Sequence, residues 1–291
     1  MTAKIIDGRA ISLQLREQLK TYVSSCRERG FRSPVLAVIL VGNDPASRIY
    51  VDLKMKACQS IGVISKDFIF DENVSQEELK HCLQSLNDDP EVDAILMQLP
   101  LPSHLNAQSL IECIAPEKDV DGLTCVNQGA LNWQKDGVVP CTPLGVMKLL
   151  ESTGVNLEGK FAAVVGRSVL VGAPMATLLS NAGATVVSLH SQTVDCPSIT
   201  SKADILVVAT GVHHLVRANW VKPGAIVVDV GIHRVNDKIE GDVDFAQVAP
   251  IASYITPVPK GVGPMTITML LANCVEAFAK RFNLENFKLN L

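Results

Sequence analysis

Two patterns of apolar residues alternate along the chain. The continuous apolar run 35–41 predicts a strand buried on both faces. Further strands are predicted at 63–70, 92–97, 161–165, 184–189, 204–209 and 225–230. Amphipathic stretches lie between them, and this alternation of strands with helices is typical of βαβ units. We therefore predict an α/β protein with mostly parallel sheets.

Residues typical of helix starts and helix ends lie between the predicted strands. We place helix starts at Asp44-Pro45, Ser75, Thr142-Pro143 and Pro264, and helix ends at Gly30 and Asn181. A small hairpin is predicted at 235–239, and 115–139 is predicted to be rich in loops. The stretch 168–194 has no charged residue, but glycine, proline and polar residues interrupt it, so we predict helix, turn and strand rather than a membrane span.

The order of these elements predicts two domains. We expect an N-terminal α/β catalytic domain over 1–140 and a Rossmann-type nucleotide-binding domain over 141–263. The apolar helix in 264–291 comes after the strands of the second domain are complete, so we expect it to pack back on the first domain. This arrangement predicts a cleft between the two domains.

A glycine-containing turn follows the predicted strand 161–165. Gly166 would let backbone N–H groups approach a pyrophosphate at the start of the next helix. The match to the dinucleotide fingerprint is imperfect, because Ser168 stands at its second glycine and Gly172 comes one place late. A plain strand-to-helix turn therefore remains an alternative, although Gly211 follows a later strand at the edge where such sheets bind ligands.

The residues after the second strand of this domain bear on cofactor choice. NAD enzymes usually carry an acid there for the ribose 2′-hydroxyl, whereas this chain has His190 and Ser191. Arg167 extends from the glycine turn, and a guanidinium with a hydroxyl suits a 2′-phosphate. The pattern favours NADP over NAD, unless Arg167 is only a solvated turn residue.

Candidate chemistry lies in the first domain. Tyr50 and Lys54 are four residues apart on one predicted helix face, and a lysine whose pKa is lowered by burial can transfer protons. Gln98 follows the third strand and could accept from a lysine. Spacing alone also fits a surface lysine and an ordinary loop amide. Asp119 and Asp121 could bind a metal or a basic heterocycle, or form a solvated turn.

The amino-acid composition argues against several classes of function. The net charge of −4 and the 4% aromatic content argue against nucleic-acid and anionic-membrane binding, which need basic or stacking surfaces. The eight cysteines form no CxxC pair and no histidine cluster completes a zinc site. We expect reduced thiols, no metal, no signal peptide and a cytoplasmic protein.

Several motifs occur together in a fixed order. They are Ile6-Asp7-Gly8, 41–47 with Tyr50 and 54–58, Gln98-Leu99-Pro100-Leu101-Pro102, 116–122, 140–143, 166–168 and 257–266. In this combination the chain resembles the bifunctional methylenetetrahydrofolate dehydrogenase/methenyltetrahydrofolate cyclohydrolase family over nearly its whole length. The resemblance implies NADP-dependent oxidation of 5,10-methylenetetrahydrofolate, then hydrolysis of the methenyl product to 10-formyltetrahydrofolate.

The resemblance also implies residue roles. Lys54 matches the general acid/base, Tyr50 its orienting partner, Gln98 the amide that tunes it and Asp121 the ligand of the pterin edge. The implied cofactor-binding residues are Gly166, Arg167, Ser168, Ser191, Gly211, Ile232 and Thr266. The implied substrate-binding residues are Tyr50, Gln98, Leu99, Pro100, Asp121, Gly263 and Pro264. The family is typically a cytosolic homodimer.

One departure and two competing functions remain. Lys260 stands where the family's loop usually has glycine, and a positive φ there would cost on the order of 1 kcal/mol. A dehydrogenase with weak cyclohydrolase activity, or one for another small substrate, would keep the same nucleotide domain. A catalytically inactive nucleotide-binding protein would bind NADP without turnover.

Overall fold

The computed structural model describes residues 2–285, 287 and 289–291, and it leaves out the side chains of 45–50. Within the described residues the chain forms two compact units. We call them the six-stranded unit, which comprises the segment up to Leu13 and Thr142–Thr266, and the three-stranded unit, which comprises Gln14–Cys141 and Ile267–Asn290. The segment up to Leu13 thus groups with the second predicted domain rather than the first.

The six-stranded unit is built on a parallel sheet. Its elements are β1 (Lys4–Ile5), β5 (Phe161–Val165), α7 (Gly172–Asn181), β6 (Thr185–Leu189), α8 (Cys196–Thr200), β7 (Ile205–Val208), β8 (Ile226–Asp229), β9 (His233–Val235), β10 (Lys238–Glu240), α9 (Phe245–Val248) and β11 (Tyr254–Ile255). The sheet order is β1-β11-β8-β7-β5-β6. Strand β5 pairs in parallel with both β6 and β7. Strand β6 is therefore added on one side of β5 and the next strand, β7, on the other side, so the strand order reverses at β5. In doubly wound sheets, ligands bind outside the carboxyl ends of strands at such a point.

The three-stranded unit has its own sheet, in the order β3-β2-β4. Its elements are β2 (Val35–Val41), α2 (Pro45–Ile61), β3 (Ile64–Phe70), α3 (Gln76–Asp88), β4 (Ala94–Met97), α4 (Ala107–Ile111) and α5 (Cys125–Asn132). All seven residues of β2 are buried, which confirms the prediction of a strand covered on both faces. Three further helices have bounds that cross the limits of the units: α1 (Gly8–Glu28), α6 (Cys141–Glu151) and α10 (Val262–Arg281).

The C-terminal helix returns to the three-stranded unit, as the sequence predicted. The Asn273 side chain donates to the carbonyl oxygens of Val120 and Val139, both at 2.9 Å. Arg281 lies 3.7 Å from the buried carboxylate of Asp93. Helix α10 is long and apolar enough to cross a membrane, but 67% of its apolar stretch is buried within the protein, as expected of a core helix.

Several local predictions are confirmed. Pro45 begins α2, and the Ser75 side chain caps α3 by accepting from the backbone N–H of Glu78. The stretch 168–194 folds as turn, helix α7 and strand β6. The predicted hairpin is β9 and β10, whose turn residues Asn236 and Asp237 both have positive φ, as a type I′ turn requires.

The eight cysteines are free thiols in the structure and differ sharply in exposure. Cys125 is exposed, whereas Cys26, Cys58, Cys141 and Cys274 are buried. Burial raises the pKa of Cys58 to about 12, which further suppresses the reactive thiolate.

We expect a maleimide to label Cys125 well before the four buried thiols. The buried thiols must wait for local opening, so their labelling should be slower by at least roughly a hundred-fold. Mass-spectrometric mapping of the native protein over time, with a urea-unfolded sample as the control, measures this order. Labelling of Cys58 or Cys274 at the rate of Cys125 would contradict the packing described above.

Candidate active site

A lysine and an amide meet within the three-stranded unit. Lys54 lies on α2, and Gln98 directly follows β4, where its backbone N–H donates to the carbonyl of Ile39 at 2.9 Å. The Gln98 amide nitrogen donates to the carbonyl of Leu99 at 2.6 Å. This bond turns the side-chain oxygen toward Lys54, whose ammonium donates to it at 2.9 Å. The predicted Lys54–Gln98 contact is therefore present.

Asp121 is positioned by a short segment that continues the sheet beside β4. Asp119 forms an isolated parallel bridge with Ile95 of β4, which carries the chain past the end of that strand. Burial of the carboxyl group raises the pKa of Asp121, and the nearby charge of Lys54 opposes that rise. Although the residue keeps some accessible surface, the carboxyl group itself is surrounded by protein, so burial has the larger effect on its pKa. Lys54 and Gln98 are in direct contact, and Asp121 lies near enough to Lys54 for the charge of the lysine to lower the pKa of its carboxyl; we refer to these three residues as one cluster.

Cys141 belongs to this cluster, and sequence reasoning missed it. Its thiol donates to the carbonyl oxygen of Val120 at 3.3 Å and accepts from the Asn273 amide at 3.6 Å, and its interaction with the Asp121 carboxyl lowers the pKa of that group. Burial raises the pKa of the thiol well above its usual value, and the charge of Asp121 adds to the rise. Cys141 is therefore a neutral thiol that fastens the backbone at Val120, directly before Asp121.

The neighbouring acid, Asp119, stabilises the local backbone. The solvated turn that we considered for Asp119 is wrong, because this residue is 1% exposed. Its carboxylate accepts from the backbone N–H of Thr124 at 2.8 Å and from the Asn127 amide at 3.0 Å. Thr124 in turn caps α5, a helix inside the stretch that we predicted as loops. Asp119 therefore orders the segment that carries Asp121.

Three other predicted residues lie near this cluster in the sequence. Leu99 is half-buried and Pro100 is exposed, and a cis peptide bond joins them directly after Gln98. Tyr50 lies on α2, but its side chain is outside the described residues. The role of Tyr50 stays a prediction.

The six-stranded unit presents a second site at the carboxyl ends of its strands. Gly166 follows β5 with a φ of 113°, and a Cβ atom there would collide with the carbonyl oxygen of Ala209, which follows β7. A Cβ atom on Gly172 would likewise collide with the carbonyl oxygen of Gly166. These positions need glycine because three backbone segments meet at the point where the sheet changes direction.

The predicted cofactor residues border this turn. Arg167, Ser168 and Ser191 are exposed, on the loops that follow β5 and β6. The Ser168 hydroxyl accepts from the backbone N–H of Val171 at 3.2 Å, which tightens the turn before α7. Gly211 has a φ of 68° and open space where a Cβ atom would point.

Apolar side chains are unusually exposed at the same edge. Val169 is 64% exposed, Val212 50% and Ile232 50%, on the loops after β5, β7 and β8. Exposed apolar groups that border a polar backbone turn are typical of a ligand site. Glycine turns, an arginine and apolar surfaces together fit a dinucleotide.

Two buried aspartates, which sequence reasoning missed, fix these loops. One carboxylate oxygen of Asp242 accepts from the backbone N–H groups of Thr210 at 2.6 Å and Gly211 at 3.0 Å. Asp229 accepts from the N–H of Gly231 at 2.9 Å, and burial raises the pKa of this carboxyl to about 6. The loops after β7 and β8 are therefore held by side chains, because their backbone groups have left the strand ladder.

The remaining predicted residues lie around the start of α10. The Thr266 and Thr142 hydroxyls are 3.0 Å apart, and Gly263 faces the tip of Ile232. Gly263 and Pro264 are half-buried in the first turns of the helix. Lys260 has a φ of 86°, so the penalty of on the order of 1 kcal/mol that we considered for a lysine there applies.

A metal site was not predicted, yet the structure brings together three residues that could hold one. They are His213, His214 and Glu240, whose potential ligand atoms lie within 4.8 Å of one another. Sequence spacing could not reveal the group, because the hairpin supplies the glutamate from 26 residues further along the chain.

The doubly wound sheet and its glycine turn define a nucleotide-binding α/β protein with a separate lysine-containing site. Sequence comparison identifies the family of this protein. Residues 6–121 match the catalytic domain of tetrahydrofolate dehydrogenase/cyclohydrolase, and residues 140–282 match the NAD(P)-binding domain of the same enzyme. The chain belongs to the tetrahydrofolate dehydrogenase/cyclohydrolase family.

Individual relatives agree with this assignment. The chain is 49% identical to the bifunctional protein FolD of Aquifex aeolicus over 281 residues, which cover 96% of this chain and 97% of that protein. The crystal structure of FolD from Campylobacter jejuni superimposes with a TM-score of 0.94 at 48% identity, over 96% of this chain and 99% of the other. The Trypanosoma brucei enzyme, solved with NADP and an inhibitor, gives a TM-score of 0.93 at 39% identity, over 97% and 99%.

Proposed function

We propose that this protein oxidises 5,10-methylenetetrahydrofolate with NADP and hydrolyses the methenyl product to 10-formyltetrahydrofolate. The observation that carries the proposal is the Lys54–Gln98–Asp121 cluster, with its 2.9 Å lysine-to-amide hydrogen bond. The family assignment supplies the reaction, and the cluster supplies groups that fit it. We assign 1–140 with 264–291 to folate binding and 141–263 to NADP binding.

Lys54 is the residue that we assign to proton transfer. In the second reaction, water adds to the methenyl carbon and must lose a proton, and ring opening then delivers a proton to the departing ring nitrogen. A single amine that accepts the first proton and donates the second balances both steps. The Gln98 oxygen holds this amine by a hydrogen bond, and we assign Tyr50 to orient it from the same helix.

Asp121 is the residue that we assign to the pterin. The polar edge of a pterin offers N–H donors, which a carboxylate can accept in pairs. Burial favours the protonated carboxyl in the free protein, and the arriving donors would favour the ionised form. Leu99, Pro100, Gly263 and Pro264 complete the residues assigned to substrate.

For the first reaction, bound NADP supplies the hydride acceptor. We assign its pyrophosphate to the Gly166 turn, its 2′-phosphate to Arg167, Ser168 and Ser191, and its nicotinamide end to Gly211, Ile232 and Thr266. The support is the exposed guanidinium, the two exposed hydroxyls and the glycine turns described above. We further propose a homodimer that acts in the cytoplasm.

Arg167→Ala should weaken NADP binding far more than NAD binding. A charge-assisted hydrogen bond contributes about 1.5–3 kcal/mol, so we expect a loss of roughly ten- to hundred-fold for NADP and little change for NAD. Fluorescence titrations with NADPH and NADH measure both affinities. Arg234→Ala, which removes an exposed arginine of the same unit, is the matched control. An equal loss for the two dinucleotides would exclude the 2′-phosphate contact.

A further inference from the structure

Three nitrogen and oxygen atoms converge on one point beside the β9–β10 hairpin. The His213 Nε2 lies 2.6 Å from a carboxylate oxygen of Glu240, and the His214 Nε2 lies 3.5 Å from the same oxygen. The two imidazole rings stack with centroids 3.8 Å apart. Each of the three side chains is about one third exposed, so the point is reachable from solvent.

The backbone is bent to bring the two histidines together. Neighbouring side chains on an extended chain point in opposite directions, but His214 has a φ of 50°, in the left-handed region. That conformation costs an ordinary residue roughly 1–2 kcal/mol. It allows both rings to reach the same glutamate. The backbone N–H of His214 donates to the carbonyl of Gly241 at 3.3 Å, which fastens the loop beside Glu240.

A second layer of contacts supports the group. The His233 Nε2 lies 2.8 Å from the buried carboxylate of Asp242, and the His233 ring packs edge-on against His213 at 5.6 Å. Across the hairpin, His233 pairs with Glu240. Metal ligands are commonly oriented by such an outer layer of packed and hydrogen-bonded groups.

The three donors match the preferences of zinc. Two imidazoles and one carboxylate, with a water at the fourth position, form a known tetrahedral set, and bond lengths near 2.1 Å place neighbouring ligand atoms roughly 3.4 Å apart. The His214–Glu240 separation already fits this value. The His213–Glu240 hydrogen bond would open by less than about 1 Å when an ion replaces the shared proton. One imidazole must also turn, because the rings are stacked at 22° and each nitrogen lone pair lies in its own ring plane.

We propose that His213, His214 and Glu240 bind one divalent transition-metal ion of the zinc class, with water as the fourth ligand. The site lies in the six-stranded unit and uses none of the residues assigned to folate or NADP. Nitrogen donors favour zinc over magnesium. The competing interpretation is a His–Glu hydrogen-bonded pair with no affinity for metal.

The test is calorimetric titration of the EDTA-treated protein with zinc chloride. We expect saturable binding of one ion per chain, and at least about ten-fold weaker binding in Glu240→Gln and His213→Ala, since even outer-layer partners contribute that much. Glu240→Gln keeps the side-chain shape, so it separates lost ligation from lost folding. His81→Ala, which removes an exposed histidine of the other unit, should bind zinc like the parent protein.

A cobalt titration gives an independent readout. Cobalt at this site should produce the visible absorption of a four-coordinate ion, and that absorption should disappear in Glu240→Gln. The proposal is overturned if the parent protein binds no zinc saturably, or if Glu240→Gln and His213→Ala, both shown to be folded, bind as the parent does. Both results are independent of the folate reactions.

Discussion

Lys54→Met should remove nearly all hydrolysis of methenyltetrahydrofolate while the protein remains folded. Methionine keeps the length and packing of the lysine stem but cannot carry a proton. General acid–base catalysis contributes about 10²- to 10⁴-fold, so we expect a rate loss in that range. The lost charge-assisted Lys54–Gln98 hydrogen bond should lower the free energy of unfolding by about 1.5–3 kcal/mol. The decay of the methenyl absorbance measures the rate, and thermal unfolding measures the fold.

Lys56→Met is the matched control for this experiment. Lys56 lies on the same helix but is exposed, and it has no assigned role in the site. The control should hydrolyse the methenyl substrate at the parent rate. Parent-like turnover by Lys54→Met would exclude Lys54 as the proton-transfer group.

Gly166→Ala should destabilise the six-stranded unit and remove most of its affinity for NADP. The added Cβ atom meets the backbone carbonyl of Ala209, which cannot rotate away as a side chain could. The positive φ costs roughly 1–2 kcal/mol, and overpacking adds about 1–3 kcal/mol. The turn must shift to relieve the collision, so we expect at least a ten-fold loss of affinity, equivalent to about 1.4 kcal/mol.

Gly224→Ala separates the cost of the positive φ from the cost of the steric collision. Gly224 also has a positive φ, 84°, but nothing lies within 4 Å of the position where its Cβ atom would be. This variant should show the backbone cost alone and bind NADP like the parent protein. Denaturant unfolding and NADPH titration compare the two variants. Equal effects of both substitutions on NADP affinity would contradict the close approach at Gly166.

The sequence predicted those parts of the fold that long local patterns encode. The continuous apolar run of β2 and the glycine turn after β5 are examples. The two-residue strands β1 and β11 were missed, because so short a segment carries no periodicity and pairs only with distant parts of the chain. The helix α5 was also missed, although Thr124 is a recognisable cap residue.

The candidate site was likewise only partly predicted from the sequence. The Lys54–Gln98 contact and the Asp121 neighbourhood followed from motifs that the family resemblance identified. Cys141, Asp229 and Asp242 were not found, because their importance comes from burial and from partners far away in the sequence. The burial of Asp119 likewise became apparent only from its contacts with Thr124 and Asn127.

One measurement tests the central claim most directly. The purified protein is mixed with 5,10-methylenetetrahydrofolate and either NADP or NAD, and the reduced cofactor and the methenyl compound are followed together. We expect reduction with NADP, weaker reduction with NAD and little lasting methenyl absorbance, because hydrolysis follows oxidation. Accumulating methenyl compound would contradict an efficient cyclohydrolase, and no reduction with either cofactor, from protein shown to be folded, would contradict the proposed function as a whole.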